Sequence, residues 1–342
     1  MKKIFLLLLF IVLLGAGWAA WKILGPTVKQ PEGKYFYVHT GANYDSVLHS
    51  LQTEKIINND TWFNLVARQL KYKTIKPGKY EIKNGMSILG LVRMLRNGQQ
   101  SPVNFAIVKL RTKEDLARRT GKEFETDSLQ MISFLNNSDS LKKFGVDTNT
   151  WSTIIIPATY TFKWNTGPSA ILEKLHAASE KFWNDDRKLK LANNNLNPTQ
   201  AYILASIIEE ETNKKEDKGK IASVYINRIQ KEMPLQADPT IKYALRDFGL
   251  KRIYEKYLDV ESPYNTYRNK GLPLGPICTP SQETLDEVIN APKSEYIYFV
   301  ANSDLNGGSV FTTNYDDHMK YAKLYQKALD EQDSIRKARN NQ

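Results

Sequence analysis

The chain has 342 residues, a hydrophobic share of 41% and a formal net charge of +11. That length suits two or three domains, and the charge favours anionic partners such as phospholipid headgroups, nucleic acid or acidic wall polymers. Lys and Arg are spread along the whole chain without a zinc-finger, RNA-recognition or helix-turn-helix pattern, which argues against nucleic acid; the lone Cys278 excludes an internal disulfide, and His39, His49, His176 and His318 show no ligand spacing, so neither a metal nor an organic cofactor is expected.

Lys2 and Lys3 precede an uncharged apolar run over 4–21, closed by Lys22. Its length matches the ~17–25 residues of a membrane helix, and Trp18 and Trp21 sit where amphipathic rings prefer the headgroup layer. A cleaved signal peptide would need small residues near its end. Ala16, Gly17, Ala19 and Ala20 supply them, but the bulky tryptophans lie among them and the run is long for such a peptide. The reading is an uncleaved anchor over 1–24 and a single-pass protein of the cytoplasmic membrane. No second span follows, so the rest of the chain is expected on one side, and Sec-type export places it on the periplasmic or extracellular side.

Residues 25–34, with Gly25, Pro26, Pro31 and Gly33, read as a linker. A small α+β module is expected over 35–102. It opens with an aromatic strand at 35–39 and a helix carrying Tyr44, Val47, Leu48 and Leu51. A second helix carries Trp62, Phe63, Val66 and Leu70, and Pro77–Gly78 turns into a strand at 79–83. Ser87 caps a last helix that Asn97–Gly98 ends. Residues 103–342 form the second, larger domain. Thr112 and Asp115 resemble a capping box. Residues 151–164 read as strand and turn around Pro157, 169–183 as an amphipathic helix, and the polar stretch 184–195 as a loop. Asn197–Pro198 starts a helix running to about residue 213. Further helices are expected at 217–231 and 281–290, a loop with short helical pieces at 233–280, a hairpin of 296–300 with 310–313, and a charged helix from 316. The fold class is α+β, with a helical core around the helix that begins at Asn197.

That helix holds Glu209-Glu210-Glu211. At ~100° per residue, Ile203, Leu204, Ile207 and Ile208 define an apolar face centred near about 70°, and Glu211 falls at about 80°, within it. Glu209 falls on the opposite side and Glu210 at the margin, so both read as ordinary surface carboxylates. A carboxyl on an apolar face is costly when charged, its pKa rises, and a protonated glutamic acid near neutrality is what glycosidic cleavage requires of a general acid. Glu210–Lys214 and Glu211–Lys215 are also i, i+4 pairs, the mark of a solvated face.

The sequence Ala205-Ser206-Ile207-Ile208-Glu209-Glu210-Glu211-Thr212 resembles the glutamate helix of the endolytic murein transglycosylases, the YceG-like or MltG-type family. The likeness continues through Ala222–Arg228, Leu235–Thr240 with Tyr243, Ser262–Tyr267, Gly271–Ile277 and Tyr296–Ala301, then Phe311 and His318. It is dense over about 200–320 and looser over the anchor and the 35–102 module, which resembles the family's LysM-like glycan-binding subdomain. The chain departs from the family at Ala158, Leu274 and Ser309; no role is assigned to positions 158 and 309.

The resemblance implies a lytic transglycosylase that cleaves MurNAc–GlcNAc bonds, leaves 1,6-anhydroMurNAc ends and terminates glycan strands. It assigns catalysis to Glu211, with Glu209 as the alternative. Gln236, Asp238, Tyr264, Asn265 and Tyr267 offer hydrogen bonds and aromatic faces for sugar. Peptidoglycan strands, the lipid bilayer through 4–21 and peptidoglycan synthases are the implied partners. Two other readings stay open: a hydrolase pairing Glu211 with Asp238, and a non-catalytic wall-binding scaffold. Asp238 also has a structural reading, since Asp-Pro-Thr is a natural turn and helix entry.

Overall fold

A computed structural model of the chain describes residues 2–250 and 252–340. Met1, Lys251 and the last two positions, which belong to the expected anchor and larger domain, lie outside the described residues. The chain forms two compact units. The first holds the chain up to Phe105 together with Arg119–Ser128 and Tyr160–Pro168; the second holds Ala106–Arg118, Leu129–Thr159 and the chain from Ser169 onward.

The first unit begins with α1 (Lys2–Leu24), in which no residue is buried. It is the one helix among the described residues long and apolar enough to cross a membrane. Then come β1 (Tyr35–Val38), α2 (Tyr44–Thr53), α3 (Thr61–Gln69), β2 (Gly78–Glu81) and α4 (Ile88–Asn97). β1 and β2 are antiparallel, with Phe36 opposite Tyr80. Strand alternation sends Phe36, Val38, Tyr80 and Ile82 into the core, all almost fully buried. Local chemistry fixes the ends of these helices. Asn43 and Ser46 form a capping box on α2, the Ser87 side chain accepts from Gly90 N, and Gly98 closes α4 at φ 68°, where glycine carries no Cβ penalty.

The expected linker contains no regular element, yet it is fastened. Val28 N donates to Met86 O (2.9 Å), Gly85 N to Val28 O (3.1 Å) and Lys29 N to Ile56 O (2.9 Å). Val28 is 1% exposed. α1 itself meets the module, Trp18 standing edge-on to Trp62 with centroids 5.4 Å apart.

β3 (Val103–Ala106) pairs with β4 (Thr159–Phe162). Phe105, Phe124 and Phe162 make an edge-to-face cluster beside them. Between these strands lie α5 (Lys113–Glu123), α6 (Ser128–Asn136), α7 (Ser138–Lys142) and a 3-10 turn at Trp151–Ile154. The expected Thr112–Asp115 box is present: Asp115 N donates to Thr112 Oγ1, and Thr112 N to Asp115 Oδ2.

The second unit is built on α8 (Pro168–Phe182), α9 (Asp185–Ala192), α10 (Pro198–Glu211), α11 (Lys215–Gln230), α12 (Asp238–Ala244), α13 (Glu255–Leu258) and α14 (Gln282–Ile289). The antiparallel hairpin β5 (Tyr298–Ala301) and β6 (Ser309–Thr312) and the final α15 (Tyr315–Asn340) complete it. α9 corrects the loop expected at 184–195. The Asn184 side chain accepts from Arg187 N, acids fill the first turn and Lys190 the last, and buried Leu191 pins the helix.

α10 is central. Asn197 and Gln200 form a reciprocal capping box with Pro198 at the first helical position. Every residue from Ala201 to Ile208 is buried. The helix therefore has no solvated face along this run, and α11, α12 and α14 pack around it. Its buried Ser206 hydroxyl accepts from Ile277 N (3.0 Å), and Cys278 Sγ lies 3.4 Å from Ser206 O.

Candidate active site

The three glutamates at the end of α10 meet three different environments. The Glu209 and Glu210 side chains are only 14% and 18% exposed, so the expectation of ordinary surface carboxylates is not met. Glu209 accepts from Ser281 Oγ (2.9 Å) and Thr284 Oγ1 at the start of α14, with Lys218 Nζ at 3.7 Å. Its carboxylate is a fixed joint between three helices. Glu210 takes a two-pronged contact from Arg111 (Nε 3.2 Å, Nη2 2.9 Å), with Lys109 Nζ at 3.2 Å. Burial works against its anion, but the hydrogen bond from Arg111 and the charges of both cations outweigh it and hold the carboxyl below the usual glutamate range. The i, i+4 pairing with Lys214 and Lys215 is not formed among the described residues; Lys215 pairs with Glu283 instead.

Glu211 differs from both. It is the last residue of α10, where the helix dipole disfavours a negative charge. It forms no ion pair among the described residues. Its Oε1 accepts from the Tyr225 hydroxyl of α11 at 2.7 Å. Burial pushes its pKa up to about 7; the Tyr225 hydrogen bond pulls against this, the negative charge of Asp238 adds to it, and Lys242 subtracts. Tyr225 is itself buried, 1% exposed, and packs edge-on against Phe299 of β5. Burial first, then the charge of Glu211 beside it, raises its phenol well above the ordinary range. Tyr225 is therefore the donor and Glu211 the acceptor in the hydrogen bond between them.

The polar residues singled out in the sequence fall in two groups. Asp238 opens α12 and is exposed; its Oδ1 accepts from the Tyr267 hydroxyl at 2.6 Å. Exposed Gln236, at φ 53°, donates its backbone N–H to Thr266 O. Asp238 and Tyr267 both act electrostatically on Glu211 or Tyr225, so these side chains share one site. Asn265 does not join them. It is fully buried, its amide donates to Leu258 O and Val260 O (both 2.8 Å), and its oxygen accepts from Tyr267 N (2.9 Å). It staples the loop that carries Tyr267 and is closed to a sugar. Tyr264 is half-buried, its ring 4.6 Å from that of Tyr243, and both pack against the core around α10.

Sequence reasoning did not single out Tyr225 or Arg228. The signal was available: Ile221, Tyr225 and Arg228 recur at i, i+4, i+7 along α11, and a long cation in that stripe must satisfy buried acceptors. Arg228 is 7% exposed. It donates to Ile297 O (2.7 Å) and Leu235 O (2.8 Å), and its guanidinium lies over the Tyr298 ring at 5.3 Å.

Comparison with known proteins agrees with this architecture. A sequence model of the YceG-like family matches residues 36–324. The chain is 29% identical over 306 residues to an endolytic murein transglycosylase of Bacillus subtilis strain 168, covering 84% of this chain and 83% of that protein. It is 27% identical over 310 residues to one of Streptococcus pneumoniae serotype 2 strain D39, covering 81% of this chain and 56% of the longer relative. It is also similar to the crystal structure of a YceG-like protein from Listeria monocytogenes, with a TM-score of 0.54 at 27% identity over 84% of this chain and 98% of that one. With the family pattern matched over most of its length, the chain belongs to the YceG-like family.

Proposed function

We propose that this protein is a membrane-anchored lytic transglycosylase that cuts peptidoglycan glycan strands with Glu211 as its acid and base. The observation that carries the reading is the Glu211 carboxyl, held by the Tyr225 hydroxyl at 2.7 Å and by no ion pair among the described residues, with burial raising its pKa to about 7, in a chain whose relatives are endolytic murein transglycosylases. Glu211 gives its proton to the glycosidic oxygen between MurNAc and GlcNAc as the bond to the anomeric carbon breaks. The resulting carboxylate then takes the proton from the 6-hydroxyl of the same MurNAc, whose oxygen closes on that carbon as a 1,6-anhydro ring. One carboxyl serves both steps because the nucleophile is tethered and no water is activated. Tyr225 orients the carboxyl; Asp238, Tyr267 and Gln236 contact the sugar. Cleavage of nascent strands in this way would set their length.

The test is mass analysis of products from purified peptidoglycan treated with the full-length protein in detergent. Anhydro ends are expected. Reducing ends would transfer the protein to the hydrolases, with Asp238 activating water, and no products would leave a scaffold. The acid form of Glu211 starts the reaction, so kcat/KM should fall about tenfold per pH unit above about pH 7. Tyr225→Phe removes a hydrogen bond that favours the anion, so this limb should move to higher pH; a limb that stays in place argues against Glu211 as the titrating group.

The 35–102 segment is assigned to glycan binding. A cavity of about 450 Å³ lined by Tyr44, Asn64, Arg68, Tyr72 and Lys73 supports this; the Tyr72 hydroxyl there is buried with no hydrogen-bond partner among the described residues. Arg68→Glu should reduce pull-down with insoluble wall several-fold, and undiminished pull-down counts against the assignment. The α1 reading places the protein in the cytoplasmic membrane with the remainder outside. The full-length chain should stay in the membrane fraction through a high-salt wash, and release by salt would remove the anchor from the account.

A further inference from the structure

A cavity of about 300 Å³ lies in the first unit where α1 ends. Its wall includes Trp21 and Lys22 of α1, Lys29 of the fastened segment, and Asn59, Trp62 and Asn84 of the module. We propose that this cavity is a phospholipid headgroup site, in which Lys22 and Lys29 hold the phosphodiester of a lipid from the bilayer that α1 enters. The proposal rests on the reading of α1 as a membrane anchor.

The position is set by length. The 23 residues of α1 rise about 35 Å, slightly more than a hydrocarbon core of about 30 Å, so its last turn lies in the headgroup layer. The walls are held from both sides. Gly25 N donates to Trp21 O and Thr27 Oγ1 to Lys22 O, while Val28 and Lys29 are hydrogen-bonded to Met86 and Ile56. Trp18 on Trp62 closes the helix against the module. The cavity is thus a built joint rather than a gap beside a loose tether.

Charge selects the ligand class. No carboxylate is among the lining residues, and neither Lys22 nor Lys29 is in an ion pair among the described residues. The Lys22 ammonium lies 5.6 Å and 5.3 Å from the ring centres of Trp18 and Trp21, which holds it at the helix end. Cations in the headgroup layer attract anionic lipid. The Asn59 and Asn84 amides can donate to phosphate and glycerol oxygens. The acyl chains of such a lipid would continue along the exposed apolar surface of α1, a half of the site that free phosphate cannot use.

The experiment uses the full-length chain in nonionic detergent, stripped of lipid and offered dioleoyl phosphatidylglycerol, with bound lipid counted by native mass spectrometry. One phosphatidylglycerol per chain is expected, little dioleoylglycerol, and no displacement by excess inorganic phosphate. A Lys22→Ala, Lys29→Ala double variant should lose affinity about tenfold or more. Lys34→Ala, whose ammonium faces Glu81 outside the cavity, should match the wild type. Four results would overturn the proposal: equal binding by the double variant, an equal loss in Lys34→Ala, equal binding of dioleoylglycerol, or displacement by phosphate, which would mark a small-anion site. A protein that resists salt extraction yet binds no lipid fails here while keeping its anchor; one released by salt fails at the anchor itself.

Discussion

Glu211→Gln is expected to abolish glycan cleavage while leaving the protein folded. The amide keeps the shape of the side chain and can still accept from Tyr225, but it carries no transferable proton. The expected loss is on the order of 10²-fold or more. Stability should move the other way, for a reason that depends on pH. The folded Glu211 pKa of about 7 lies above its ordinary 4.5, so the folded state holds the proton more tightly than the unfolded chain. That contribution is fully present below the unfolded pKa and is lost as pH rises through about 7. At pH 8 the ionised carboxyl costs the fold on the order of 1–3 kcal/mol, a cost the amide escapes. The variant should therefore melt higher than the wild type at pH 8 and about equally at pH 4. Wild-type rates of anhydro-end formation by the Gln variant would end the assignment.

Arg228→Ala should strongly destabilise the second unit. The guanidinium fork satisfies carbonyls on two separate segments, half-buried Ile297 before the hairpin and buried Leu235 before α12. Removing it strands these acceptors at roughly 1–3 kcal/mol each and opens a space under Tyr298, for a total of about 3–5 kcal/mol. Lysine should rescue poorly, because one ammonium cannot reproduce a planar fork. Chemical denaturation reads the effect directly, and a variant within about 1 kcal/mol of wild type would show that the carbonyls find other partners. Cleavage should fall as well, since Arg228 also reaches Gln236 Oε1 and steadies the turn leading to Asp238.

What was legible in the sequence was local. The Asn197–Pro198 start of α10, the Thr112–Asp115 box and the Ser87 and Gly98 caps each depend on groups a few residues apart, and each stands as read. The helical wheel also set Glu211 among apolar neighbours, in keeping with the burial that raises its pKa. The wheel misjudged Glu209 and Glu210 because it assumed one apolar face. A helix buried all round turns its remaining directions towards partners far away in the chain, Ser281 and Thr284 for one carboxylate and Arg111 for the other. No spacing within the helix encodes them. α9 was missed for the opposite reason. Its sequence is polar nearly all round, and a single buried leucine with an asparagine cap carries too little periodicity to separate helix from loop. Asn265 looked like a sugar ligand because composition cannot tell an amide that faces substrate from one consumed by its own loop.

The lone thiol under α10 makes the protein its own gauge of breathing. Cys278 is 2% exposed and rests against the Ser206 carbonyl, one turn before the glutamates. Burial raises its pKa well above that of a free cysteine, so in the closed state it is both hidden from a thiol reagent and short of the reactive thiolate. Labelling can then proceed only through excursions that lift the Cys278 segment away from α10. The rate of modification, taken against that of the unfolded chain, converts into the free energy of that opening without any engineered probe. A glycan that braces the site on binding would slow this clock, and a substitution that loosens the glutamate turn would speed it.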